Sequence, residues 1–399
     1  MTSRYSHVRR TVLLLSAPLF ALLSTLLCVP PPAFAQAADF AHFDVATDGD
    51  TIHLLTGQGK KGTPEIPLYH RVSKNGGATW SRPVRVTRDS DRLFANHPGE
   101  NPTLVAAGNR VVVAWSAPRP NVRRSGQVAT ALSDDAGATW KPSPSPFEGV
   151  PGSQTFMRLA TAGPTALHMV WLDSRDGRQG LRYARSPDGG KTWAKDLALV
   201  AQTCDCCWNS IATRADGEVS VLYRGGEPRD MLHMASKDGA TWLPPAPIGG
   251  FDWRINACPH VGGALAVRGQ VLHSLVWTGK DGAQGLYHAS LPAGAASWSR
   301  PRRLGTADAK NADLAAAPDG TLIAVWDEPG ARGSPLRTAR SRDGGANWSG
   351  AETIPANSDA THPRVAVTSK GTVTLWFEGQ PWGSAKLLAN GRPIESAVR

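Results

Sequence analysis

The stretch SPDGGKTW, residues 186–193, decides the fold, because its chemistry is that of one particular turn and because it recurs. Ser and Asp side chains bond to nearby backbone groups, glycines supply positive φ, and the Trp packs back over the structure that the turn closes. Five further copies are SKNGGATW (73–80), SDDAGATW (133–140), SKDGATW (236–242), SLPAGAASW (290–298) and SRDGGANW (341–348). They are unequal. Asn75 replaces the Asp in the copy at 73–80, the copy at 236–242 lacks one glycine, and the copy at 290–298 keeps only Ser290 and Trp298.

A second repeated element lies upstream of each turn, with one more copy after the last: IHLLTGQ, VVAWSAP, HMVWLDS, SVLYRGG, HSLVWTGK, IAVWDEP and VTLWFEG. Its aromatic positions, Trp115, Trp171, Tyr223, Trp277, Trp326 and Trp376, stand 56, 52, 54, 49 and 50 residues apart. A third element, of the type FDVATDG or FMRLATAG, precedes each of these. Each unit thus reads as four short strands, and the alternating or short apolar runs leave little room for helix. A period of roughly 50 residues with four strands per unit predicts an all-β propeller. Seven blades are favoured, the last (361–397) without the turn; six is the alternative.

The N-terminus has a different character. MTSRYSHVRR carries three arginines and no acid, an apolar run follows, and Ala33-Phe34-Ala35 is a small-x-small cleavage pattern. We expect residues 1–35 to be an export signal and 36–399 a single propeller domain, periplasmic or secreted. No later stretch approaches the eighteen or so apolar residues of a spanning helix, so no stable membrane insertion is expected. The whole chain has a formal net charge of +10, and cleavage after Ala35 leaves it near +7. That charge is spread out, without the basic clusters or aromatic interleaving of a nucleic-acid binder. Gly at 41 residues and Pro at 31 suit frequent turns.

The S-x-D-x-G-x-T-W turns resemble the Asp-box, or BNR, repeats of the sialidase superfamily, over nearly the whole of 36–399. The resemblance implies a propeller with its boxes on the face away from the functional site, and it says little about activity, since such boxes occur in glycan-processing and glycan-binding propellers and in proteins with unrelated roles. Sialidase catalytic domains have six blades. A sialidase would also need a Tyr nucleophile activated by Glu, a separate carboxylic acid, and an arginine triad for the substrate carboxylate. The best assignment is Tyr223 with Glu227, Asp173 as acid, and Arg158, Arg254 and Arg364 as clamp. The match is incomplete. The first triad arginine belongs in an R-I-P stretch on the first inner strand, and here the only such stretch nearby is Glu65-Ile66-Pro67. Tyr223 also fills the repeat position that Trp holds in other blades.

Propeller topology brings the connections into first strands, and those joining second to third strands, onto the face opposite the boxes. Arginines, acids and histidines collect there, including His97, Glu100, Arg158, Asp173, Glu227 and His362. Trp208 and Glu100 join the arginines as candidate ligand-binding residues for a glycan.

TCDCCWNS (203–210) lies on the same face, leading into blade four, while CPH (258–260) leads into blade five. Once the signal and its Cys28 are removed, Cys204, Cys206, Cys207 and Cys258 remain, an even number in an oxidising compartment. Two disulfides are one reading, with one bridge joining the blades and a strained second one within 204–207. The other is a soft or borderline metal site, Cu or Zn, built from Cys204, Cys206, Cys207, Cys258 and His260, with His97 and His362 near the mouth. A glycoside hydrolase needs neither. The expectations are therefore an atypical propeller that binds a glycan or a soft metal, an exo-sialidase or related hydrolase, and a disulfide-stapled scaffold.

Overall fold

The computed structural model describes residue 2 and residues 39–59, 66–93, 100–119, 122, 125–146, 151–330, 333–357, 359–379, 386–395 and 397. Among these every regular element is a β-strand, and the strands form seven four-stranded antiparallel sheets, each in simple sequence order. Seven blades is the observed count, at 39–85, 103–143, 154–200, 210–247, 264–304, 310–354 and 361–393. Ala37–Arg399 forms one compact unit. The expected export signal falls outside the described residues but for Thr2. No helix among the described residues is long and apolar enough to cross a membrane.

Strand position explains strand composition. Second strands such as Leu167–Asp173 and Leu322–Asp327 are buried at every position, because they are sandwiched between blades, and so read as continuous apolar runs. Fourth strands such as Ala246–Pro247 are exposed and short. The apolar clusters lie between neighbouring blades: Phe43, Leu54, Leu375 and Phe377 join blades one and seven, and Leu132, Met157, Met169 and Trp171 join two and three. Successive first strands contact one another around the ring, and the first strand of blade seven, Thr361–Thr368, meets that of blade one, Asp39–Asp48. Closure is sealed by Ser369, whose N–H and hydroxyl donate to Asp50 at 2.9 and 2.7 Å, and by Arg71, which donates to the Glu395 carbonyl at 2.6 Å.

The repeated turns have the chemistry their sequence implies. In 186–193 the Ser186 hydroxyl donates to Asp188 at 2.8 Å and accepts from Gly190 N at 2.8 Å, while Thr192 N donates to Asp188 at 2.8 Å. Asn75 fills the acceptor role at 73–80, taking Thr79 N at 2.9 Å. Four of the six box Trp residues pack on a third-strand ring of the preceding blade: Trp140 on His70, Trp242 on Tyr183, Trp298 on His233 and Trp348 on His288, with centroids 4.8–5.4 Å apart. The box glycines allow this approach. A Cβ on Gly137, which has φ 92°, would lie 2.1 Å from the His70 ring.

Candidate functional site

The first strands of the blades surround a central cavity of about 240 Å³. One structural position recurs around it. In blades three, six and seven a first-strand residue pairs with the residue just before the second-strand Trp: Arg158 with Val170, Asp313 with Val325 and Arg364 with Leu375. In blade one the equivalent is Asp44, opposite Leu55. Blades three, six and seven each insert a bulge just before this position, with Phe156, Asn311 and His362 at φ 53°, 48° and 51°. Such bulges re-aim side chains where a strand turns into a site.

The ring is electrically balanced. Asp44 lies 3.1 Å from Arg364 and 3.8 Å from Arg158, and Asp313 lies 3.0 Å from Arg364. Burial pushes the Arg158 guanidinium below its usual range, partly offset by Asp44. Burial also opposes charge on Arg364, yet Asp313 and Asp44 outweigh it and hold that guanidinium above its usual range. Beside them Asp327, fully buried, accepts from Asn311, from the Thr361 hydroxyl at 2.8 Å and from His362 N at 3.0 Å. Trp208 lines the cavity with its ring 5.9 Å from that of His362.

This geometry does not assemble the sialidase machinery sketched from sequence. Arg158 and Arg364 do meet, but carboxylates already neutralise them; Arg254 sits on an exposed loop, paired with Glu227 at 3.1 Å and Asp252 at 2.9 Å. Tyr223 is 1% exposed, packed among Phe156, Val170 and Met234, and its hydroxyl has no partner, so Glu227 cannot be its base. Burial pushes its phenol above the usual tyrosine range. Asp173 is pinned by Trp171 Nε1 at 2.8 Å and by Arg175 at 2.6 Å. Burial opposes its ionisation, but the bonds from Arg175 and Trp171 prevail and hold it below the usual carboxylate range, which denies it a proton to donate. The same tryptophan-to-acid bond recurs as Trp326 with Glu328 at 3.1 Å and Trp376 with Glu378 at 3.2 Å. These acids tie second strands to neighbouring loops. Glu100 is buried, and His97 lies outside the described residues.

The cysteines behave otherwise. Sγ of Cys204 lies 3.7 Å from that of Cys206 and 3.1 Å from that of Cys207, all three buried. Cys206 also joins Cys258 and His260, and within each of the two sets every donor atom lies within 4.8 Å of the others. All five residues singled out from sequence therefore converge on one rim; His362 is engaged with Thr361 instead.

The local fold holds them there. Thr203 N donates to the Gln179 carbonyl of blade three, Cys204 N to the Arg224 carbonyl at 3.0 Å, Asn209 to Phe156 and Ser210 to Gly263 of blade five at 2.6 Å. Gly262 carries no Cβ because one would lie 2.4 Å from Trp208.

Arg224 is the residue whose importance the sequence did not reveal. Fully buried, it donates to the carbonyls of Val261, Arg229 and Trp277, stacks over Trp253 and Trp277, and faces Cys207. It thus ties the CDCC loop to the CPH loop. Its signal was an arginine ending the otherwise uncharged strand Val219–Arg224, which is buried at every position. Hydrogen bonds from Cys206 and Cys207, helped by Arg229, draw the Cys204 thiol down, while burial pushes Cys207 up to about 11.

Seven four-stranded blades with box turns at the third-to-fourth-strand corners define the class: the chain has the sialidase-like Asp-box fold. Residues 41–193 match the BNR repeat-like domain. No curated protein matches the chain in sequence. Among solved structures it is similar to the GH93 α-L-arabinofuranosidase of Fusarium graminearum with arabinobiose, at 14% identity and TM-score 0.51 over 88% of this chain and 92% of that one. It also matches the Hadza microbial sialidase at 16% identity and TM-score 0.47, over 84% and 75% of the two chains. A protein of unknown function from Dyadobacter fermentans matches at 15% and 0.48, over 89% and 94%. At these identities the likeness is one of fold.

Proposed function

We propose that this is an exported, non-hydrolytic member of the sialidase-like propellers that binds a soft metal ion, of the Cu(I) type, through thiolates at the rim of blades four and five. One observation carries the reading: Cys204, Cys206, Cys207, Cys258 and His260, from two loops some fifty residues apart, meet in two donor sets on a braced scaffold. Soft thiolates select such ions over hard ones. The N-terminal charge and cleavage pattern support export. A glycan in the central cavity is a second reading, supported by Trp208 at its wall and by the glycan-active names of the neighbours.

The test is anaerobic purification of the exported protein without chelator, with metal analysis and the denatured, non-reduced mass. The reading expects bound copper and four titratable thiols. A metal-free protein about 4 Da light, two hydrogens for each bridge, would replace it with a stapled scaffold. Hydrolysis of sialosides or arabinofuranosides by that protein would refute the non-hydrolytic part.

A further inference from the structure

We infer that the rim holds two monovalent soft ions rather than one, with the Cys206 sulfur bridging them. This rests on the metal-binding reading above and specifies its stoichiometry and order of filling. The two donor sets, Cys204 with Cys206 and Cys207, and Cys206 with Cys258 and His260, have only Cys206 in common. Among the described residues no four donors lie within mutual reach, as an all-protein tetrahedral zinc site would need. Each set supplies three, the number that closes a trigonal site for a monovalent soft ion. With metal–sulfur bonds near 2.3 Å, a trigonal set has sulfur–sulfur edges of about 4 Å. The 3.7 Å from Cys204 to Cys206 nearly fits, and the 3.1 Å to Cys207 must open by a little under an ångström, within reach of side-chain torsion.

The two sites are not equivalent. Cys204 and Cys207 are each 1% exposed and Cys206 is 8% exposed, whereas Cys258 and His260 are exposed. The inner ion is sequestered and the outer one faces solvent, where it can exchange. Four thiols that each release a proton to solvent, with two monovalent ions, leave a cluster of net charge −2, beside the guanidinium groups of Arg224 and Arg229. No oxidant or reductant takes part.

The experiment is an anaerobic titration of the reduced full-length protein with Cu(I) against a chromogenic chelator, read with native mass spectrometry and copper X-ray absorption. Wild type is expected to take two ions with a copper–copper scattering vector, and Cys258→Ser to take one and lose that vector. One ion in wild type, whether or not Cys258→Ser removes it, would overturn the two-ion site and leave metal binding intact. Two ions without the vector would overturn the bridge. No uptake by wild type would sink both.

Discussion

Replacing Asp44 by Ala is the sharpest probe of the channel, because this carboxylate is 3% exposed and serves three groups at once. It lies 3.1 Å from Arg364 and 3.8 Å from Arg158, and it accepts Leu104 N at 3.0 Å. Arg364 would keep Asp313, but Arg158 would be left buried without its nearest acid, and an orphaned buried charge costs about 3–5 kcal/mol. The stranded Leu104 N–H adds about 1–3 kcal/mol unless water reaches it. The assay is equilibrium urea unfolding of wild type, Asp44→Ala, Arg158→Met and the double variant. Removing both charges should recover most of the loss, since a buried pair replaced by apolar groups is often near neutral. A single Asp44→Ala within about 1 kcal/mol of wild type, or a double variant as unstable as the sum of the singles, would refute the argument that Asp44 is there to neutralise Arg158.

Three further outcomes follow from the same structure. Burial holds His42, His53, His168, His233 and His273 down to about 4, and His70 and His288 to about 3, so the unfolded chain binds protons that the folded chain refuses. Their contribution is fully present above about pH 6.5 and is lost as pH falls towards 4, by up to about 1.4 kcal/mol per pH unit for each histidine; unfolding midpoints that stay flat between pH 7 and 5 would count against it. Gly137→Ala should cost several times more than the roughly 1 kcal/mol of Gly108→Ala, because both have positive φ but only the first drives a Cβ into His70; equal losses by calorimetry would contradict the blade-to-blade contact. Tyr223→Phe should leave stability unchanged or raise it by about 1 kcal/mol, as it removes a buried hydroxyl with no partner, and a loss of any hydrolytic activity would restore Tyr223 as a nucleophile.

Most of the fold was legible because the box turn is local chemistry: Ser, Asp and Gly bond within a few residues, so sequence alone marks the third-to-fourth-strand corner of each blade. The seventh blade was legible only through Trp376 and its strand, since it carries no box. Convergence of the two cysteine loops followed from blade order. Arg158 and Arg364 were expected on one face, but the carboxylates that neutralise them were not readable, because Arg158, Asp313 and Arg364 come into register through bulges at non-glycine residues that no residue type announces. The acids misled for a reason visible in hindsight. Trp-Leu-Asp, Trp-Asp-Glu and Trp-Phe-Glu in three second strands place an acid two residues after the Trp, on the same face, where it bonds the indole. Asp173 therefore belonged to the repeat rather than to a catalytic set. Tyr223 likewise followed its repeat position into the core.

The central claim is that the CDCC and CPH loops form a metal site, and anomalous diffraction at the copper edge from crystals grown anaerobically with Cu(I) tests it most directly. The account predicts density among Cys204, Cys206 and Cys207, with a second peak between Cys206, Cys258 and His260. Continuous sulfur–sulfur density from Cys204 to Cys207 and from Cys206 to Cys258, with no copper at the rim, would contradict it.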